Sequence, residues 1–450
     1  MPVQRTPEQE AVVKNRGGGL LVSAAAGSGK TRVLVERLLD RILTEGKNVD
    51  EFLIITFTRA AAEELRGRIG QELAQALAAQ PDNGHLRRQS GKLYQTQIST
   101  IHAFCTVLLR QWGHLLDVPA DFALCEEEEA QVLMDRTLNQ VLEARYEEVD
   151  PEGNFARLLD ILSAGRDDSR LMDITLDVYG KIQSAQDPLA WLEVQRKALD
   201  LSGITDVGQT PWGALLLEEA RDTAAYWAGQ MAKACALSQE DAALEKAYGE
   251  SLQTTQQGLE TFCQAASQGW DQAAQAHIPF PRLKAARGVE AIGAQEQIKA
   301  IREGCKKAVE GMLDPFASDS AALLEDMALV SPAMMGLIDL VEDFSQAYAQ
   351  EKKKRNLLDF SDLEHFAVRL LTDEVGQPTD LARQWGAQYT EIMVDEYQDT
   401  NEVQNTIFQA LSQGGRNLFL VGDVKQSIYR FRLADPTIFL EKYLSYVPAS

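Results

Sequence analysis

The chain has 450 residues, enough for two to four domains each with its own core, and its composition is that of an ordinary globular protein rather than a disordered or fibrous one. Five scattered cysteines with no CxxC pair argue against a zinc site, an iron–sulfur cluster or a disulfide framework and predict buried, reduced thiols. The net charge of −23 argues against nucleic-acid binding until it is mapped: residues 1–110 carry +4, residues 351–450 carry −4, and residues 111–350 alone carry −23. The polar start, MPVQRTPEQE, and the lack of an apolar run of membrane-spanning length predict neither a signal peptide nor a transmembrane helix, a cytoplasmic location and no membrane partner.

The first predicted strand is Leu20–Ser23, followed by a turn, Ala24-Ala25-Ala26-Gly27-Ser28-Gly29, and a helix in which Val33, Leu34, Arg37 and Leu38 recur at helical spacing. Small residues and two glycines let successive backbone N–H groups point inward around an anion, and the helix dipole adds to them. Such a turn cradles phosphate, with Lys30 reaching the β- and γ-phosphates and the Thr31 hydroxyl on Mg²⁺. One departure from the usual GxxxxGK[ST] pattern is Ala24 in place of the first glycine. Further strands are predicted at Phe52–Phe57, Gln97–Thr100, Glu391–Asp395 and Asn417–Val421, short runs rich in Val, Ile and Leu as buried parallel strands are. Helices lie between them, including Ala60–Ala78.

From about Glu126 to Gln350 the pattern is almost continuously helical, with breaks predicted near Pro151, Pro188, Pro211, Pro279 to Pro281 and Pro332. The run Glu126–Glu129 reads as a helix first turn favoured by the dipole. The expected fold is α/β: a RecA-like phosphate-loop domain with a parallel sheet, in two parts (1–120 and 346–450) around a large all-helical insertion (121–345). After the fourth strand, Asp395 can hold a Mg²⁺ shell and Glu396 can position and deprotonate a water, a pair that points to hydrolysis.

Several motifs in order resemble superfamily 1 DNA helicases of the UvrD/Rep/RecB group: "TPEQ" (6–9), "AGSGKTR" (26–32), "TFTRAAAEELRGRI" (56–69), "STIHAFC" (99–105), "VDEYQDTN" (394–401) and "LVGDVKQSIYRFRLADPTIF" (420–439). Within that group "KKKRNLLDFSDLEH" (352–365) and "RLAD" are similar to the AddA branch of helicase–nuclease subunits. The resemblance implies an ATP-dependent 3′–5′ DNA helicase motor for double-strand-break repair, using ATP and Mg²⁺ on single-stranded and duplex DNA, in a heterodimer with an AddB-like subunit. It implies that Gln9 reads the adenine, that Arg32 lies near it, that Gln426 senses the γ-phosphate, and that Asp423 and Arg432 link nucleotide state to the DNA groove. Catalytic roles fall on Lys30, Asp395, Glu396 and Gln426, nucleotide contacts on Gln9, Ala25–Arg32, and metal contacts on Thr31 and Asp395. Phe57, His102, Tyr429 and Phe431 match positions that touch single-stranded DNA, where aromatic faces stack on bases of any sequence.

Phe57 and Phe431 also read as core residues, His102 as a capping or packing residue, and Lys352–Arg355 as a solvated helix face. The resemblance further implies a second RecA-like domain, with an arginine that completes the ATP site, and a nuclease domain. Neither is found in the 450 residues, so the chain reads as an N-terminal portion that binds ATP but does not unwind DNA alone. Two alternatives stand beside this reading: a fragment of a stand-alone UvrD-like helicase, and a non-hydrolysing ATP- and single-strand-binding module.

Overall fold

The computed structural model describes residues 5–25, 27–162, 168–427 and 434–447. Ala26, Tyr429, Phe431 and Arg432 therefore lie outside the described residues. A five-stranded parallel sheet is built from β1 (Leu20–Ser23), β2 (Phe52–Thr56), β3 (Gln97–Thr100), β6 (Glu391–Val394) and β7 (Leu418–Gly422), in the order β1-β7-β6-β2-β3. The five strands expected from the apolar runs are the five found, each within a residue of its predicted ends. A separate two-residue parallel pair, β4 (Ala123–Leu124) with β5 (Leu357–Leu358), was not predicted: two residues are too few for any periodicity.

Strands β2, β6 and β7 are buried along their whole length, which requires a layer on each face. On one face Phe52, Ile54, Met393, Phe419 and Val421 pack with helices α2 (Lys30–Glu45) and α3 (Arg59–Ala79). On the other, Leu53, Ile55, Ile392, Val394 and Leu420 pack with α5 (Ile101–Trp112), α16 (Phe360–Leu371) and α18 (Glu402–Leu411). The alternation along each strand assigns the two sets to opposite faces. Because all five strands are parallel, their C-terminal ends share one edge, and a helix or turn begins at each of them. Threonine side chains start two of these helices: Thr58 accepts from the Ala61 N–H at α3, and Thr100 from the Ala103 N–H at α5.

Ahead of β1 lies α1 (Pro7–Lys14), and α4 (Gly84–Lys92) precedes β3. Between β4 and β5 the regular elements among the described residues are helical: α6 (Glu127–Glu147), α7 (Asn154–Leu162), α8 (Ser169–Ile182), α9 (Pro188–Ala198), α10 (Pro211–Gln239), α11 (Ala242–Leu244), α12 (Glu250–Ala266), α13 (Trp270–Gln275), α14 (Ile292–Leu313) and α15 (Ser320–Lys354). Two more helices, α17 (Asp380–Gly386) and α19 (Pro436–Ser445), complete the chain. The chain divides into two compact units, one of Met1–Glu148, Arg166–Leu192 and Asp339–Ser450, the other of Val149–Gly165 and Glu193–Ile338. The core of the second is made by α10, α12 and α14, where Ala220, Ala224 and Met231 face Leu252, Leu259, Phe262 and Ile298.

Glu127, Glu128 and Glu129 do occupy the first turn of α6. Four expectations need correction. Pro332 does not break the chain but lies inside α15, a 35-residue helix whose remaining ladder outweighs the one N–H that proline lacks. Lys352 is not solvated: it is 3% exposed, and its ammonium meets Asp359 at 2.7 Å and Asp362 at 2.6 Å over the ring of Tyr348. Lys353, Lys354 and Arg355 keep the exposed face that was expected. Cys105, Cys125 and Cys305 are buried, but Cys235 and Cys263 only half so; burial pushes all five thiols up, Cys125 and Cys305 to about 11, so they stay protonated near neutral pH. Finally, α15 is long and apolar enough, by length and composition, to cross a membrane, and 28% of its apolar window is buried. The expectation had required an unbroken apolar run, whereas this window admits up to two charges.

Candidate functional site

The predicted site residues follow the C-terminal ends of different strands and so meet at one sheet edge: Lys30 after β1, Phe57 after β2, His102 after β3, Asp395 and Glu396 after β6, Gln426 after β7. This edge is where ligands bind in parallel α/β sheets. The loop after β1 is tied to β7 by the Ala24 N–H, which donates to the Gly422 carbonyl at 3.1 Å. Gly27 (φ 73°) and Gly29 (φ 88°) take left-handed backbone conformations that a side chain would strain, and Gly29 is the N-cap of α2. The N–H groups at the start of α2 lack helical partners and face the loop side, the arrangement that favours an anion.

Gln9 joins this loop from α1. Its Nε2 donates to the Ser28 carbonyl at 3.0 Å, while Thr6 and Gln9 form a capping box that fixes the side chain's origin. Arg32, one residue beyond Thr31, pairs instead with Glu36 along α2 at 2.7 Å.

At the centre lies Lys30, 9% exposed. Its Nζ reaches Glu396 Oε2 at 3.1 Å and Gln426 Oε1 at 3.3 Å, and Thr31 Oγ1 donates to Asp395 Oδ2 at 3.4 Å. Glu396 itself has φ 52°, a left-handed conformation rare outside glycine that costs about 1–2 kcal/mol and is held by its surroundings. Its backbone N–H donates to Asp395 Oδ1 at 3.1 Å, and Gln398 Nε2 donates to its Oε2 at 2.8 Å. Gln398 also accepts from the Asp423 N–H at 2.9 Å, and Asp423 accepts from Gln426 at 2.7 Å, so a chain of hydrogen bonds runs from β6 to β7. Burial, then the charge of Glu396, raises the Asp395 carboxyl above its ordinary value. The same two causes push Asp399 up to about 6.

Chemically, this is a lysine and a helix N-terminus facing an anion-sized loop, with two neighbouring carboxylates opposite. Thr31 and Asp395 offer hard oxygen donors, and a divalent cation between them would relieve the crowding of charge that raises Asp395. Among the described residues no cluster of three or more His, Cys, Asp or Glu could hold a metal, so a cation here would be completed by phosphate oxygens and water, as Mg²⁺ sites commonly are.

A cavity adjoins the carboxylates, lined among others by Phe57, His102, Phe360, Glu364, Asn401 and Gln404. Phe57 is half-buried and borders both this cavity and a second one lined by Thr31, Arg68, Asp395 and Gln426. The His102 ring lies 4.8 Å from Phe360, and its Nε2 is 3.0 Å from Glu364 Oε1. Burial raises the Glu364 carboxyl, but the contact with His102 and the amides of Gln404 and Asn401 outweigh it and hold the group below its ordinary value. Sequence reasoning singled out Phe57 and His102 but not Phe360, Glu364, Gln398, Asp399 or Gln404. Gln398 and Asp399 stood inside a quoted motif; Glu364 is one acid on an amphipathic helix and gave no signal.

A parallel sheet whose first strand runs through a glycine-bearing loop into Lys30-Thr31, opposite two carboxylates on another strand, defines an α/β domain of phosphate-loop type with a RecA-like fold. The chain belongs to the UvrD/REP helicase N-terminal domain family, which matches residues 5–446. It is similar to the A-subunit of the ATP-dependent helicase/nuclease of Lachnoclostridium phytofermentans, 39% identical over 98% of this chain and 33% of that protein. The proteins of the same name from Heliobacterium modesticaldum (38%, over 98% of this chain and 33% of that protein) and Geobacillus thermodenitrificans (36%, over 97% and 36%) are similar to it too. The chain thus spans about a third of the length of these relatives.

Proposed function

We propose that this chain is the nucleotide-binding motor portion of an ATP-dependent DNA helicase of the AddA type, moving 3′ to 5′ on single strands in double-strand-break repair. The observation that carries the reading is the convergence of Lys30, Thr31, Asp395, Glu396 and Gln426, drawn from sequence positions up to 396 apart, within hydrogen-bonding distance at one sheet edge. Lys30 and the loop N–H groups receive the β- and γ-phosphates, with Gln9 and Arg32 toward the adenine. Thr31 and Asp395 hold Mg²⁺, which when bound neutralises phosphate charge. Glu396 orients a water toward the γ-phosphate and takes its proton, and Gln426 lies where the terminal phosphate would end.

Phe57 and His102 face the single strand, and duplex DNA lies ahead of it. The RecA-like part comprises 1–120 and 346–450, and residues 121–345 form an all-helical insertion whose acidic surface suits a protein contact better than DNA. Relatives named as helicase/nuclease subunits support a partner of AddB type and a cytoplasmic place. Alone, the 450-residue chain binds ATP and does not unwind DNA.

Titration with a labelled ATP analogue tests this. Lys30→Ala removes a charge-assisted contact and should weaken binding roughly tenfold or more. Unchanged affinity would sink the phosphate-loop assignment.

A further inference from the structure

His102 and Glu364 stand on different helices, α5 and α16, and meet in the cavity beside the carboxylates. Glu364 is 5% exposed on a helix face whose other buried residues, Leu363, Ala367, Val368 and Leu371, are apolar. A charge in such a place is costly unless its oxygens are answered. They are: His102 Nε2 lies 3.0 Å and Gln404 Nε2 2.7 Å from Oε1, and Asn401 Nδ2 lies 3.4 Å from Oε2. Asn401 is in turn fixed as the N-cap of α18, where its side chain accepts from the Gln404 N–H at 2.8 Å. The carboxylate is therefore rigid, while the imidazole it holds is half-exposed and rests on the ring of Phe360 at 45°.

We propose that Glu364 is the positioning residue for His102: it fixes the orientation of the ring and keeps Nε2 as the donor, so that the imidazole presents one set face to a base of the single strand in the cavity shared with Phe57 and Phe360. The proposal rests on the strand-binding reading above. A half-exposed histidine without support samples two ring flips and two tautomers, and ordering it on a ligand costs free energy. Here the ordering is done by the fold. With the proton of the neutral ring on Nε2, Nδ1 is its acceptor. Glu364 touches no nucleic acid itself and acts only through His102.

The test uses the 450-residue chain and its Glu364→Ala, Glu364→Gln, His102→Ala and Glu364→Ala/His102→Ala variants. With five histidines in the chain, nitrogen-detected NMR of the rings resolves tautomers. His102 should be a single Nε2–H tautomer in the parent, a mixture in Glu364→Ala, and largely restored in Glu364→Gln, whose amide oxygen still accepts. Anisotropy with labelled oligo-dT should show Glu364→Ala and His102→Ala each losing roughly fivefold or more, and the double variant losing no more than His102→Ala alone. Affinity for a labelled ATP analogue should stay at the parent value in all of them. An unchanged His102 tautomer in Glu364→Ala, or losses that multiply in the double variant, would overturn the proposal. A parent chain that does not bind oligo-dT would refute the strand-binding reading, and the tautomer measurement would still decide whether Glu364 positions the ring.

Discussion

Asp399 illustrates how closely charge is managed at single residues around the site. Its Oδ2 accepts from Gln398 at 3.1 Å, whereas Oδ1 is buried with no hydrogen-bond partner among the described residues. Burial and the neighbouring Glu396 push its carboxyl from 3.8 up to about 6. The folded chain thus holds this proton more tightly than the unfolded chain does. Its contribution to stability is complete below pH 3.8 and is lost as pH rises through about 6. Asparagine does not titrate, so Asp399→Asn should melt at a higher temperature than the parent at pH 7, with the gap closing toward pH 4. Thermal unfolding across that range measures it, and a gap independent of pH would mean that the side chain is not held protonated by its surroundings. The strained backbone of Glu396 belongs to the same picture: its carboxylate faces Lys30 and Gln398 because the chain turns left-handed there.

Between elements, one buried ion pair ties the nucleotide-side helices to the strand that carries Asp395. Arg37, on α2 and 1% exposed, meets Glu391, at the start of β6, at 2.6 Å and lies over the ring of Phe419. Its other nitrogen donates to the carbonyls of Val12 and Asn15 at the end of α1, the helix that carries Gln9. Glu391→Ala leaves the guanidinium buried beside Arg41 without its carboxylate and should cost about 3–5 kcal/mol in urea unfolding. A cost within 1 kcal/mol would show that the pair is not what joins these elements. None of this was legible beforehand, since Arg37 and Glu391 lie 354 positions apart and each looks like an ordinary charged residue in its own segment. The same limit hid the burial of Lys352, which depends on Asp359 and Asp362 folding back on it across β5. What could be read were features written locally: the apolar runs of the five strands, the glycine turn before Lys30, and the acids after β6.

Across the whole molecule, charge and topology divide the work. The strand ends gather the site residues at one edge, within segments of near-neutral charge, while residues 111–350 carry the net −23. Order along the chain hinted at this, but the strand order β1-β7-β6-β2-β3, which sets β7 and β6 between β1 and β2, is decided by packing and was not predicted. If single strands are gripped only near Phe57 and His102, oligo-dT and mixed-sequence oligonucleotides should bind alike, and affinity should fall as salt rises. Anisotropy from 50 to 200 mM salt checks this; binding that favours one sequence or ignores salt would contradict it.

The central claim is that Lys30, Thr31 and Asp395 form one site for a nucleoside triphosphate and its metal. Calorimetric titration of a non-hydrolysable ATP analogue, with Mg²⁺ and with chelator, tests it on the parent chain and on Thr31→Val and Asp395→Asn. The account predicts that Mg²⁺ tightens binding to the parent at least severalfold and has little effect on either variant, because both lose an oxygen donor to the cation. Binding that is indifferent to Mg²⁺ in the parent, or equally responsive in all three proteins, would contradict it.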